Sequence, residues 1–144
     1  MAVQPIPTGY NTVIPYLIAE GAGKLIDFLV QGFGARELNR MSMPDGSVGH
    51  AELQLGDSMI MVGDAGGEWP PTRASLHLYV ADVDAVYQAA LAAGGTSKAE
   101  PELQFYGDRR AMVVDPAGND WSIATHVEDV SEEEMERRLA AQQS

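Results

Sequence analysis

The chain has 144 residues, 45% of them hydrophobic and 21% charged, with no cysteine and a formal net charge of −12. A chain of this length buries roughly 70% of its unfolded surface in one core without staples, and the lack of cysteine excludes a disulfide framework and thiolate metal sites. The negative charge opposes nucleic acid and anionic membranes. With neither a leader-like start nor an apolar run of about 18 residues, the expectation is an acidic, cytoplasmic, globular protein.

In chain order, the first strand is expected over Thr12–Ile18. A helix follows with Leu25, Phe28 and Leu29 on a broad apolar face that also takes in Ile26, Val30 and Phe33, and Gly32-Phe33-Gly34 are expected to end it. Pro44-Asp45-Gly46 and Leu55-Gly56-Asp57 read as hairpin turns. Between them, Gly49–Leu55 alternates: Ala51, Leu53 and Leu55 on one side, His50, Glu52 and Gln54 on the other. Asp64 to Pro71 is a turn-rich linker containing Trp69. Ser75–Val80 is the next strand, with Leu76, Leu78 and Val80 opposite Ser75, His77 and Tyr79. Val83, Val86, Tyr87, Ala90 and Leu91 then mark a second helix, which Gly94-Gly95 closes. Asp115-Pro116-Ala117-Gly118 is a turn in the place that Leu55-Gly56-Asp57 holds earlier. Ser131 and Glu134 form a capping box for a C-terminal helix whose acids lead and whose Arg137 and Arg138 follow.

The second half echoes the first. Ile18-Ala19-Glu20 returns as Val80-Ala81-Asp82, Gly32 as Gly94, and Leu55-Gly56-Asp57-Ser58 as Ala117-Gly118-Asn119-Asp120, all 62 positions on; Tyr16 and Tyr79 pair at 63. The order βαβββ, twice, is therefore an α+β single domain: residues 10–63 form one module, 64–74 the linker, 75–127 the second module and 128–144 an acidic helix and tail. The apolar strand faces pack on helices. The polar faces of the paired modules are expected to curl together into a concave ligand site within an eight-stranded cupped mixed sheet with the helices outside.

These residues resemble a known family. Paired βαβββ modules are the architecture of the vicinal oxygen chelate superfamily, which includes glyoxalase I, extradiol dioxygenases, fosfomycin-resistance enzymes and bleomycin-binding proteins. The chain is similar to its PhnB-like branch in Ile14-Pro15-Tyr16-Leu17, Gly49-His50-Ala51-Glu52-Leu53 and Gly56-Asp57-Ser58. In the second half the matching runs are Leu76-His77-Leu78-Tyr79-Val80, Asp82-Val83-Asp84-Ala85, Tyr106-Gly107-Asp108-Arg109, Asp115-Pro116 with Gly118, and Trp121 through Val130. The resemblance implies a homodimer whose clefts draw on both subunits. It also implies four metal-ligand places, which fall here on Ile14, Ile60, Ser75 and Ser122. None of these is a good ligand, since a divalent cation needs carboxylates or imidazoles.

The candidate ligand-binding residues are Tyr16, His50, Glu52, Gln54, Ser75, His77, Tyr79, Phe105, Tyr106 and Ser122. The leading expectation is a protein that binds a small aromatic or amphipathic molecule without metal or other cofactor, as drug-sequestering relatives do. The alternative is a metal-dependent lyase, isomerase or dioxygenase using His50, Glu52 and His77. Without metal, Glu52 is the candidate acid/base, oriented by His50; a regulatory or interaction protein is a third reading. Phe105 and Tyr106 read as an aromatic cleft wall, and Asp108 and Arg109 as a pair that fixes their loop. Trp69 reads as a cover for the cleft or a dimer contact, and His126 as a residue that meets the tail. No nucleophile elbow or phosphate loop is present.

Overall fold

The computed structural model describes residues 2–143. Strand β1 (Tyr16–Ala19) leads into helix α1 (Ala22–Phe33), then β2 (Arg36–Ser42), β3 (Val48–Leu55) and β4 (Ser58–Asp64). The second unit repeats this with β5 (Ser75–Tyr79), α2 (Val83–Ala92), β6 (Thr96–Leu103), β7 (Asp108–Val114) and β8 (Asp120–His126), and α3 (Glu132–Gln142) closes the chain. The α+β architecture and the short C-terminal helix are those expected. The eight strands divide between two four-stranded mixed sheets, ordered β1-β4-β3-β2 and β5-β8-β7-β6. Among the described residues no helix is long and apolar enough to cross a membrane.

The first strand starts later than Thr12 because Pro15 has no N–H to give the ladder; its carbonyl accepts from Met61 N at 2.9 Å, and pairing proper begins with Tyr16. Helix α1 starts after Gly21, which has no capping side chain, and Asp64 supplies the cap from β4. One carboxylate oxygen accepts from Ala22 N at 2.8 Å and the other from Val48 N at 2.7 Å. The Gly32-Phe33-Gly34 run ends α1 as expected, with Gly34 as its left-handed C-cap (φ 74°), while Gly32 itself lies inside the helix. It is where α1 meets α2: a Cβ there would lie 3.2 Å from the Cα of Ala90. Ser131 caps α3 by accepting from Glu134 N. The Glu134 carboxylate bonds Arg137 and Arg138, which hold its pKa down at about 2.

One core serves both units. Leu17, Ala51, Leu53, Ile60 and Val62 of the first sheet and Ala111, Val113, Trp121 and Ile123 of the second join α1 and Tyr87 and Ala90 of α2 in a single buried cluster. Phe33 stacks edge-on against Trp121, ring centroids 4.8 Å apart, and ties the units together. Each helix covers the core side of its own sheet, and the two helices pack on each other. Each polar sheet face therefore lies away from the shared core.

The ladders also correct the register of the repeat. Leu17 pairs with Val62, which pairs with Ala51; Leu78 pairs with Ile123, which pairs with Ala111. Strand β1 thus maps onto β5, and β4 onto β8, one residue short of the spacing found in the sequence matches. The structural counterpart of Tyr16 is His77, not Tyr79, because Tyr16 pairs with Met61 as His77 does with Ser122. Ile60 turns into the core opposite Leu53, so the polar face is reached from β4 by Met61, not Ile60.

Candidate functional site

On the first unit's polar face, β3 presents His50, Glu52 and Gln54, as its alternation predicts. Two extra residues break the β2–β3 ladder, Leu38 on β2 and Gly49 on β3, and the second lets Val48 turn inward while His50 stays on the polar face. His50 is held at both ring nitrogens: Nε2 lies 3.2 Å from Glu52 Oε1 and Nδ1 3.0 Å from Tyr16 Oη. With Nε2–H donating to the carboxylate, Nδ1 accepts from the phenol. Glu52 also accepts from Tyr10 Oη and from Asn39 Nδ2, the latter at 3.3 Å. The order is therefore Tyr16–His50–Glu52, with the phenol, not the carboxylate, beside the open space. That space is a cavity of about 430 Å³ lined by Tyr16, Ile18, Gly49, Gly63, Asp64 and Trp69. Gln54 lies beyond it and accepts from Arg36 at 2.7 Å.

On the second unit's polar face, His77 pairs in register with Ser122, and Ser122 with Met112; Tyr79 pairs with Ala124, and Ala124 with Arg110. His77 and Tyr79 stack at a tilt, centroids 4.7 Å apart. Ser75 stands exposed at the start of β5, in register with Asp120. Phe105 and Tyr106 meet edge to face in the loop before β7, and the Tyr106 hydroxyl faces Arg110 Nη1 at 3.4 Å. Asp108 and Arg109 do not pair, because neighbours on a strand point to opposite faces. Arg109 makes a two-pronged bond to Asp84 on α2, while the buried Asp108 accepts from Tyr79 Oη at 2.9 Å and contacts His126 Nδ1 at 2.7 Å. That bond to Asp108 raises the pKa of Tyr79 and keeps its proton on.

His126 meets the tail as expected. Its Nε2 lies 2.8 Å from Asp129, and this bond, with the one to Asp108, raises its pKa above the usual 6.5. The raised value means that the clasp's contribution is complete below the ordinary imidazole range and is lost as pH climbs through the raised pKa. Beside it, Val127 N and Glu128 N both donate to Gly107 O. Amide exchange at Val127 and Glu128 should therefore accelerate with rising pH faster than the intrinsic rate, and His126→Gln should abolish that excess. Identical pH profiles in the two proteins would refute the clasp.

His50 and Glu52 are brought together, but His77 does not join them. Among the described residues no three His, Cys, Asp or Glu side chains gather as a metal site requires. The places that the resemblance assigns to ligands do not fit a cation either: Ile14 and Ile60 offer no donor atom, and Ser75 and Ser122 offer neutral hydroxyls. Sequence reasoning missed Tyr10, Asn39 and Arg110. The alternation of Asp108, Arg110 and Met112 against Ala111 and Val113 was enough to find Arg110, whereas Tyr10 lies in irregular chain that carries no period.

A family model described as Glyoxalase/Bleomycin resistance protein/Dioxygenase superfamily matches residues 13–123. Uncharacterized protein Rv0887c of Mycobacterium tuberculosis strain H37Rv is 37% identical over 139 residues, spanning 89% of this chain and 82% of that one. Among solved structures, TioX from Micromonospora sp. ML1 superposes with a TM-score of 0.70 at 26% identity, over 81% of this chain and 99% of that one. TnmS3, an antibiotic binding protein from Streptomyces sp. CB03234, shares the fold with a TM-score of 0.63 at 22% identity, over 88% of this chain and 98% of that one.

Proposed function

Because the chain belongs to the glyoxalase/bleomycin resistance protein/dioxygenase superfamily, we propose that it is a PhnB-like, cytoplasmic member that binds a small aromatic or amphipathic molecule without metal. The observation that carries this reading is the cavity of about 430 Å³ beside Tyr16, in which Ile18 and Trp69 offer apolar surface and the Tyr16–His50–Glu52 chain offers a fixed polar group. Space of this size with few, well-anchored polar groups suits a drug-sized ligand. TnmS3 puts the same fold to antibiotic binding.

The site is completed by a second copy. Tyr16, Trp69 and Tyr79 are 45%, 66% and 62% exposed, and the two polar faces of one chain point away from their common core. A homodimer that lays the second unit of one copy over the first unit of the other would enclose both. Sedimentation should give a dimer; a monomer at micromolar concentration that still binds ligand would refute this arrangement.

The contact between His50 and Glu52 favours a second reading, a metal-dependent lyase, isomerase or dioxygenase that adds His77 across such an interface. Metal analysis separates the two. Protein purified without chelators should hold far less than one metal per chain, and its melting temperature should not respond to chelator. Stoichiometric zinc, nickel or iron that disappears in Glu52→Ala would establish the second reading instead. For the first, a panel of aromatic antibiotics and metabolites should contain a ligand that stabilises the fold. At a hundred times its Kd the gain is about 2.7 kcal/mol, or roughly 8 °C in Tm. A panel without any such shift would count against binding.

A further inference from the structure

Arg110 stands apart from the other arginines. Arg40, Arg73, Arg109, Arg137 and Arg138 each pair with a carboxylate, and Arg36 bonds an amide oxygen. Arg110 has no ion pair among the described residues, in a chain that carries 21 acids. Among the described residues its one polar contact is the Tyr106 hydroxyl at 3.4 Å, and its Nε is the one buried side-chain nitrogen or oxygen that lacks a partner. Glu102 faces it in register on β6 and makes no ion pair with it. Burying a guanidinium donor without an acceptor is costly, and such a group is expected where a ligand supplies the acceptor.

Its place supports this. Ala111 and Ile123 are fully buried against the helix side, so Arg110 is on the polar face, in one row with Ala124 and Tyr79 and next to the row of Met112, Ser122 and His77. It sits just before Ala111 as His50 sits just before Ala51, and it therefore holds in the second unit the position that His50 holds in the first. One polar face thus carries an imidazole–carboxylate pair and the other a free cation beside an aromatic pair.

From this we infer that Arg110 anchors a carboxylate on the bound molecule, whose ring lies along His77 and Tyr79. This deepens the binding reading above and rests on it. A carboxylate matches the planar fork of the guanidinium, which a compact ammonium does not reproduce.

The test uses 2-naphthoate and its neutral, nearly isosteric partner 2-naphthamide, titrated calorimetrically into the full chain at low salt. Wild-type protein should hold naphthoate about tenfold more tightly than naphthamide, the size expected of one charge-assisted bond. Arg110→Gln should erase that preference and leave naphthamide binding as it was, which also shows that the fold survives. Arg110→Lys should keep part of the preference, and Glu102→Gln should keep all of it. Equal wild-type affinities, or a preference that persists in Arg110→Gln, would overturn the role of Arg110 and leave the binding reading standing. So would a change of oligomeric state in Arg110→Gln, since the guanidinium would then serve a contact between copies. If neither naphthalene binds, the role of Arg110 falls, and the panel of aromatic antibiotics and metabolites decides the binding reading.

Discussion

Asp115→Ala should cost about 4 kcal/mol of stability, and the loss should appear as a fall in melting temperature of roughly 12 °C. The side chain is 4% exposed and accepts four hydrogen bonds. Ala117 N and Asn119 N reach one oxygen; Asn119 Nδ2 and Trp121 Nε1 reach the other, all at 2.8–3.0 Å. Alanine removes every acceptor at once and leaves buried donors unpaired, a penalty of about 1–3 kcal/mol each before relaxation. The damage spreads because Asn119 Oδ1 accepts from Ala74 N and so fixes the start of β5, and because Trp121 packs on Phe33 of the other unit. Asp115→Asn keeps the shape and one acceptor oxygen and should lose about half as much. Denaturant unfolding followed by tryptophan fluorescence measures both variants. A loss below about 1 kcal/mol for alanine would show that this carboxylate is not the hub that its bonds suggest.

Gly32→Val should cost about 3 kcal/mol through overpacking. The Cβ position at residue 32 is 3.2 Å from Ala90 Cα and 3.5 Å from Ala93 Cβ, so the two valine methyls must push α1 off α2. Alanine at the same place offers a control of the opposite tendency. Its better helix propensity contributes up to about 1 kcal/mol, which should offset most of the crowding and leave Gly32→Ala near neutral. Gly23→Ala, where no atom lies within 4 Å of the new Cβ, should be neutral or stabilising. If Gly32→Val unfolds at the wild-type denaturant midpoint, the close crossing of the helices is not what holds the units together. Since that crossing sets how the two polar faces are disposed, the valine variant should also weaken any dimer that encloses them.

Much of the fold was legible in the sequence, because the signals that carry it are local. Alternation in residues 49–55 separates Ala51, Leu53 and Leu55 from His50, Glu52 and Gln54 whatever the strand packs against, and the structure keeps that division. The capping box at Ser131 and Glu134 needs only its own turn to form. Strand β4 behaves differently. Met59-Ile60-Met61-Val62 is apolar on both sides, so its own residues do not say which side faces in. Pairing with β3 sets Ile60 opposite Leu53 and Val62 opposite Ala51, and so turns both into the core.

The site divides in the same way. Tyr16, His50 and Glu52 were visible as residues of the right kind on the right strands, but their order as a hydrogen-bonded chain, and the arrival of Tyr10 from an irregular segment, depend on contacts 34 and 42 residues apart. The partners of Asp64 and Asp108 and the want of a partner at Arg110 depend likewise on where other strands and helices come to rest. The sequence by itself determined the elements, their inward and outward faces wherever polarity alternates, and the doubling of the unit. The tertiary structure alone decided the register of the apolar strand, the packing of the two helices on each other, and which charges are satisfied. The reason is that a side chain's face follows from the period of its own strand, whereas its partner follows from how distant segments pack.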